Sequence, residues 1–174
     1  RVKNISPLTA AKLYIDAAAE AGIDCAKFQS YKAGTIVSKN SPAYWDTTKE
    51  PTKTQYELFL KHDHFGEAEY RELCEYTHAK GMDFTSTPFD YASADYLEDM
   101  VDFYKISSSD LSNLPFIAHI AKKGKPVFMS VGAAYLSECD EAIRVLKDNG
   151  CKDIVIFHCV RSYPTAPKDA NLLI

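Results

Sequence analysis

Two lysines stand where an apolar strand would ordinarily hold none. Lys27 interrupts Cys25-Ala26-Lys27-Phe28, and Lys105 lies between Tyr104 and Ile106. An ammonium turned into a sheet or barrel interior is costly unless an anion meets it. Each lysine therefore snorkels outward, pairs with a structural carboxylate, or serves an anionic ligand. Compact hydroxyl clusters end the neighbouring apolar runs: Ser86-Thr87, Ser107-Ser108-Ser109 and Ser130-Val131-Gly132. Serines in such places commonly cap the next helix, but their hydroxyls and nearby N–H groups also suit a phosphate or carboxylate. Two lysines and three hydroxyl clusters at equivalent positions point to a small ligand bearing both anions. Lys27, Thr87, Lys105, Ser108 and Ser130 are its expected contacts, and no residue stands out as a catalytic nucleophile.

These residues recur because the elements recur. Four times a charged, helix-like stretch passes through a glycine (Gly22, Gly81, Gly124, Gly150) into an apolar strand. Helical spacing is expected over 8–21, 55–60, 66–80, 92–100, 114–123 and 137–149, with Ser6 and Ser137 as caps. Strands are expected over 25–31, 83–86, 103–106, 127–130 and 154–158, and another helix from Asp169. Residues 32–54 form a polar loop long enough to be functional. Regular alternation of strand and helix implies a parallel sheet with right-handed crossovers. The polar strand ends then share the C-terminal rim, where such folds bind ligands. The fold class expected is α/β, either an open doubly wound sheet or a parallel (β/α) barrel of TIM type. About five β/α units cannot close a barrel of about 250 residues, so the barrel would be incomplete. The absence of a Gly-x-Gly-x-x-Gly or P-loop pattern weighs against a nucleotide-binding open sheet.

The remaining composition is ordinary. The chain has 174 residues, 46% hydrophobic and 25% charged, and a net charge of −4. This predicts one soluble domain and gives no reason to expect nucleic acid. No apolar run approaches the roughly 18 residues of a membrane span. Five cysteines without a Cys-x-x-Cys pair suit a reducing cytoplasm. Cys25, Cys151 and Cys159 read as small buried hydrophobes. His158 ends the last strand without a second ligand at useful spacing, which fits a structural role as well as a chemical one. His62-Asp63-His64 is metal-like only in composition, so no metal ligands are assigned in this chain.

Five segments, in order, resemble the N-acetylneuraminate (sialic acid) synthase family: Ala26-Lys27-Phe28-Gln29, Ser86-Thr87-Pro88-Phe89, Tyr104-Lys105-Ile106-x-Ser108, Gly124-Lys125-Pro126-x-x-x-Ser130-x-Gly132, and His158-Cys159-x-x-x-Tyr163-Pro164-Thr165. The resemblance implies a (β/α)8 barrel that condenses phosphoenolpyruvate with an N-acyl-hexosamine and releases phosphate. It assigns phosphoenolpyruvate to Lys27, Thr87, Lys105, Ser108 and Ser130. Gln29, Phe89, Asp110, Arg161 and Tyr163 would face the sugar. Asp110 stands where many members have Glu, and Arg161 where Asn or a small residue is expected. The resemblance further implies that residues 1–174 are part of one synthase domain. The first strand, the last strands and their ligands for a divalent metal (Mn or Mg) would lie outside this chain. A homodimer is implied for the full-length enzyme, and inactivity for this stretch alone. A legionaminate- or pseudaminate-type acceptor, or another phosphoenolpyruvate aldol-type synthase, is the alternative.

Overall fold

The computed structural model describes residues 5–132, 134–162 and 164–173. It divides into two compact units, residues 1–101 and 102–174.

In the first unit, Ser6 accepts the Thr9 N–H and Pro7 occupies the first turn, starting α1 (Pro7–Glu20). β1 (Cys25–Ser30), the short α2 (Ala33–Ile36), α3 (Gln55–His62), α4 (Glu67–Ala79), β2 (Asp83–Pro88) and α5 (Tyr91–Tyr96) follow. β1 and β2 pair in parallel. The loop expected over 32–54 contains α2 and is pinned by a single antiparallel bridge, Pro42 to Thr54. α1 buries Ala11 and Ile15, and beside it α4 buries Tyr70, Leu73, Cys74 and Thr77. Phe28 reaches this layer, its ring 5.6 Å from Phe84 and 6.4 Å from Tyr70. The ion pairs Lys12–Glu72 and Lys80–Asp16, both 2.6 Å, lie at the surface and contribute little to stability.

The second unit holds β3 (Tyr104–Ile106), α6 (Leu114–Ala121), β4 (Val127–Ser130), α7 (Leu136–Asp148) and β5 (Ile154–Phe157). The strands form a parallel sheet in the order β3-β4-β5. One sheet face is buried, through Tyr104, Ile106, Val127 and Met129. The two helices bury Phe116, Ile117, Ile120, Ala142 and Leu146. Phe128 lies on the other face, stacked on Phe103 at 4.1 Å and edge-on to Phe157 at 5.9 Å.

Gly22, Gly81, Gly124 and Gly150 all adopt positive φ, between 71° and 97°. Each ends a helix in the left-handed region and turns the chain into its strand, as the repeating pattern predicts. Several local expectations change. α7 begins one residue before Ser137, and Glu138 accepts the Tyr135 N–H at 2.8 Å. Ser137 is therefore inside the helix rather than its cap. The segment at Asp169 is one 3-10 turn, Pro167–Asp169. Of the three strand-associated cysteines only Cys151 is buried; Cys25 and Cys159 are half-buried. β5 exposes Val155, Ile156 and Phe157 by 39–40%. Among the described residues, only β4 pairs with it. No helix among the described residues is long and apolar enough to cross a membrane.

Candidate anion-binding site

Parallel pairing decides which side chains share a face. In the first unit the register sets Lys27 opposite Thr85 and Gln29 opposite Thr87. Alternation along each strand puts all four on the face away from Phe28 and Phe84. Thr85 and Thr87 are buried, while Lys27 and Gln29 are exposed. Lys27 resolves its cost partly by reaching solvent. Enough protein still surrounds its ammonium for desolvation to lower the pKa below the ordinary lysine value. Phe89 follows β2; its N–H donates to the Ser30 carbonyl at 3.0 Å, and its ring lies 6.3 Å from Tyr31, edge-on. Behind the rim, the Ser30 and Ser86 hydroxyls pair at 2.7 Å, and Tyr70 donates to the Gln29 carbonyl at 2.6 Å. Burial drives the Tyr70 phenol well above its usual range, so this hydroxyl remains a donor.

In the second unit Lys105 pairs in register with Phe128, on the face that also carries Ser130 and Phe157. Its ammonium donates to the Ser130 hydroxyl at 2.6 Å and the Ile106 carbonyl at 2.7 Å. It also stands 5.5 Å above the Phe157 ring, a cation–π contact. The Ser108 hydroxyl accepts the Gly132 N–H at 3.0 Å, joining the ends of β3 and β4. The end of β5 closes on the same point. A Cβ at Gly132 would sit 3.2 Å from Arg161 Cγ, Cys159 Cβ and the Cys159 carbonyl. Gly132 is thus required by close approach, and the stem of Arg161 lies across it. Asp110 occupies the 3-10 turn Ser108–Asp110; burial raises its carboxyl pKa, while hydrogen bonds from Ser109 and Asn113 oppose the shift.

The structure therefore brings Lys27, Gln29, Thr87 and Phe89 to one rim of the first unit. It brings Lys105, Ser108, Ser130 and Arg161 to one rim of the second. Tyr163 lies outside the described residues. Thr85 and Tyr31 join the first rim without having been singled out. Thr85-x-Thr87 spacing carried the signal for the former; nothing local marked Tyr31. His158 donates through Nε2 to the Ala170 carbonyl at 2.9 Å, a structural use. Asp63, set aside within His62-Asp63-His64, accepts from Lys32 Nζ at 2.7 Å and the Ala33 N–H at 3.0 Å, its side chain only 8% exposed. No group of three or more His, Cys, Asp or Glu among the described residues could hold a metal ion, so the residues present do not fit one.

Both units are thus α/β, with parallel strands that carry lysines and hydroxyls toward their C-terminal ends. This chain belongs to the NeuB family, whose model matches residues 14–174. It is 41% identical to an uncharacterized protein of Methanocaldococcus jannaschii over 162 residues, 92% of this chain and 44% of that protein. It is 36% identical to the N,N'-diacetyllegionaminic acid synthase of Campylobacter jejuni over 98% of this chain and 52% of the enzyme. Among solved structures, the citrate complex of N-acetylneuraminic acid synthetase from Leptospira borgpetersenii superposes with a TM-score of 0.81 at 32% identity, covering 95% of this chain and 53% of that one. The chain spans about half the length of the curated relatives it matches.

Proposed function

We propose that this chain forms part of a (β/α) barrel synthase that joins phosphoenolpyruvate to an N-acyl-hexosamine, giving a sialic-acid-type nonulosonate and inorganic phosphate. The observation that carries the reading is Lys105. Its ammonium is held on the rim face by Ser130 and the Ile106 carbonyl, within a motif order matching the NeuB family. By the family's motifs, Lys27, Thr87, Lys105, Ser108 and Ser130 would contact phosphoenolpyruvate in the full-length enzyme.

In the reaction, C3 of the enol phosphate attacks the aldehyde carbon of the open-chain sugar, forming the carbon–carbon bond. The aldehyde oxygen takes a proton, water adds at C2, and the C2–O bond breaks to release phosphate. The lysines serve this sequence electrostatically. They offset the carboxylate and phosphate charges, so both anions can sit beside an electron-rich alkene. Gln29, Phe89 and Asp110 would face the acceptor.

The acceptor is the finer question. A diacetamido-hexosamine is the second reading, favoured by the likeness to a legionaminic acid synthase. Arg161, its stem against Gly132, adds a cation that would suit a phosphorylated or carboxylated acceptor. The test is phosphate release from phosphoenolpyruvate by the full-length protein, with neutral, phosphorylated and diacetamido hexosamines in parallel. Turnover of at least one is expected. Equal turnover of neutral and phosphorylated sugar by wild type and Arg161→Asn would remove Arg161 from selection. No turnover with any hexosamine would overturn the reading.

A further inference from the structure

The carboxylate of Asp90 reaches beyond its own helix. Oδ1 accepts the Ser93 N–H at 2.7 Å and so caps α5. Oδ2 accepts the Thr35 hydroxyl at 2.6 Å. The Thr35 hydroxyl also lies 2.8 Å from the Lys32 carbonyl. With one proton to give, it favours the charged and closer acceptor. Asp63 takes the Lys32 ammonium and the Ala33 N–H. Two carboxylates thus hold Lys32, Ala33 and Thr35, shortly after the end of β1.

On the proposed function, the residues adjoining these contacts would form the acceptor end of the rim. Lys32 follows Tyr31, and Asp90 follows Phe89. Fastening Lys32 to Asp63 and Thr35 to Asp90 therefore sets Tyr31 and Phe89 against each other. Their rings are 6.3 Å apart at 81°, and Tyr31 is backed by Phe59 at 5.5 Å. The Tyr31 hydroxyl donates to the Phe59 carbonyl at 3.3 Å, which limits the ring further. An aromatic pair held in this way offers a rigid apolar wall beside Gln29, suited to the methyl of an N-acyl group and the C–H face of a sugar.

We propose that Asp90 is a positioning residue for acceptor recognition, acting through Thr35 to fix the Tyr31–Phe89 wall. This rests on the reading that Gln29 and Phe89 face the hexosamine. Thr35→Val removes the hydroxyl donor and leaves the helix cap intact. Asp90→Ser keeps a capping side chain but is too short to reach Thr35. In the full-length protein each variant should raise the acceptor KM about tenfold, the loss expected for a hydrogen bond to a charged group. The phosphoenolpyruvate KM should stay within about twofold, because a purely structural defect would move both constants together. Thr35→Ser should restore wild-type behaviour, and the double variant should be no worse than either single one. Parallel changes in both KM values, or additive losses in the double variant, would overturn the proposal. Amide hydrogen exchange gives a readout independent of turnover. Faster exchange confined to residues 31–35 and 89–93 is expected in both variants, and unchanged protection there would overturn the proposal. A wild type that turns over no hexosamine but shows this local exchange response would count against the synthase reading while leaving the fastening intact.

Discussion

Replacing Lys27 by Met keeps most of the stem and removes the charge, and it should move binding and stability in opposite directions. An ammonium about 4 Å from a ligand anion gains about 4 kcal/mol at an effective dielectric of about 20. More than a third of Lys27 meets solvent, and such exposure brings the gain down to about 2 kcal/mol. That corresponds to roughly a 30-fold weaker Kd for phosphoenolpyruvate. Calorimetric titration of full-length Lys27→Met against phosphoenolpyruvate measures it directly. The ligand-free protein should respond in the other sense. Desolvation lowers the folded-state pKa of Lys27 below 10.5. At neutral pH the charge is present in both folded and unfolded chains, but only the folded chain bears the desolvation cost. That cost disappears as pH rises from the lowered pKa toward 10.5, where the folded lysine is neutral. Lys27→Met should therefore unfold at the same temperature as wild type or higher at pH 7, with the difference shrinking at strongly alkaline pH. Unchanged phosphoenolpyruvate affinity in both Lys27→Met and Lys105→Met would refute the assignment of these lysines. A clear loss of stability in the ligand-free Lys27→Met protein would refute the argument from desolvation.

Two further outcomes follow from the second unit. Gly132→Ala places a Cβ 3.2 Å from three atoms, one of them the Cys159 carbonyl, which no side-chain rotation can move. Denaturant titration should show a loss of about 1–3 kcal/mol, as for overpacking, and anion affinity should fall as the Gly132–Ser108 contact shifts. Asp110→Asn should raise the unfolding temperature at pH 7, because burial holds the folded carboxyl above 3.8 and its ionised form opposes folding there. The gain should fade as pH drops through the raised folded pKa toward 3.8, below which both states are protonated. If Asp110 faces the acceptor, the same variant should lose hexosamine turnover while gaining stability.

Much of this arrangement was legible along the chain because it depends on neighbours in sequence. A glycine free to take positive φ followed by a short apolar run specifies helix, stop and strand from local sterics alone. Gly22, Gly81, Gly124 and Gly150 all adopt that conformation. Lysines out of place in strands, and hydroxyls at strand ends, likewise announce themselves by type and position. The motif order then carried the family, which the match over residues 14–174 establishes.

Tertiary structure alone decided the partners. Which residue stands opposite Lys27 depends on strand register, and register is set between segments more than 50 residues apart. His62-Asp63-His64 read as metal-like only in composition and nothing along the chain marked Asp90, since a short-range pattern cannot show a carboxylate that collects donors from Lys32, Ala33 and Thr35. Gly132 stood out as the end of the Ser130-Val131-Gly132 cluster, and what crowds it is the chain at Cys159 and Arg161. Local sterics act within a few bonds and leave their mark in sequence spacing. Hydrogen bonds and close packing between distant segments follow from how the strands align, and spacing along the chain holds no record of that alignment.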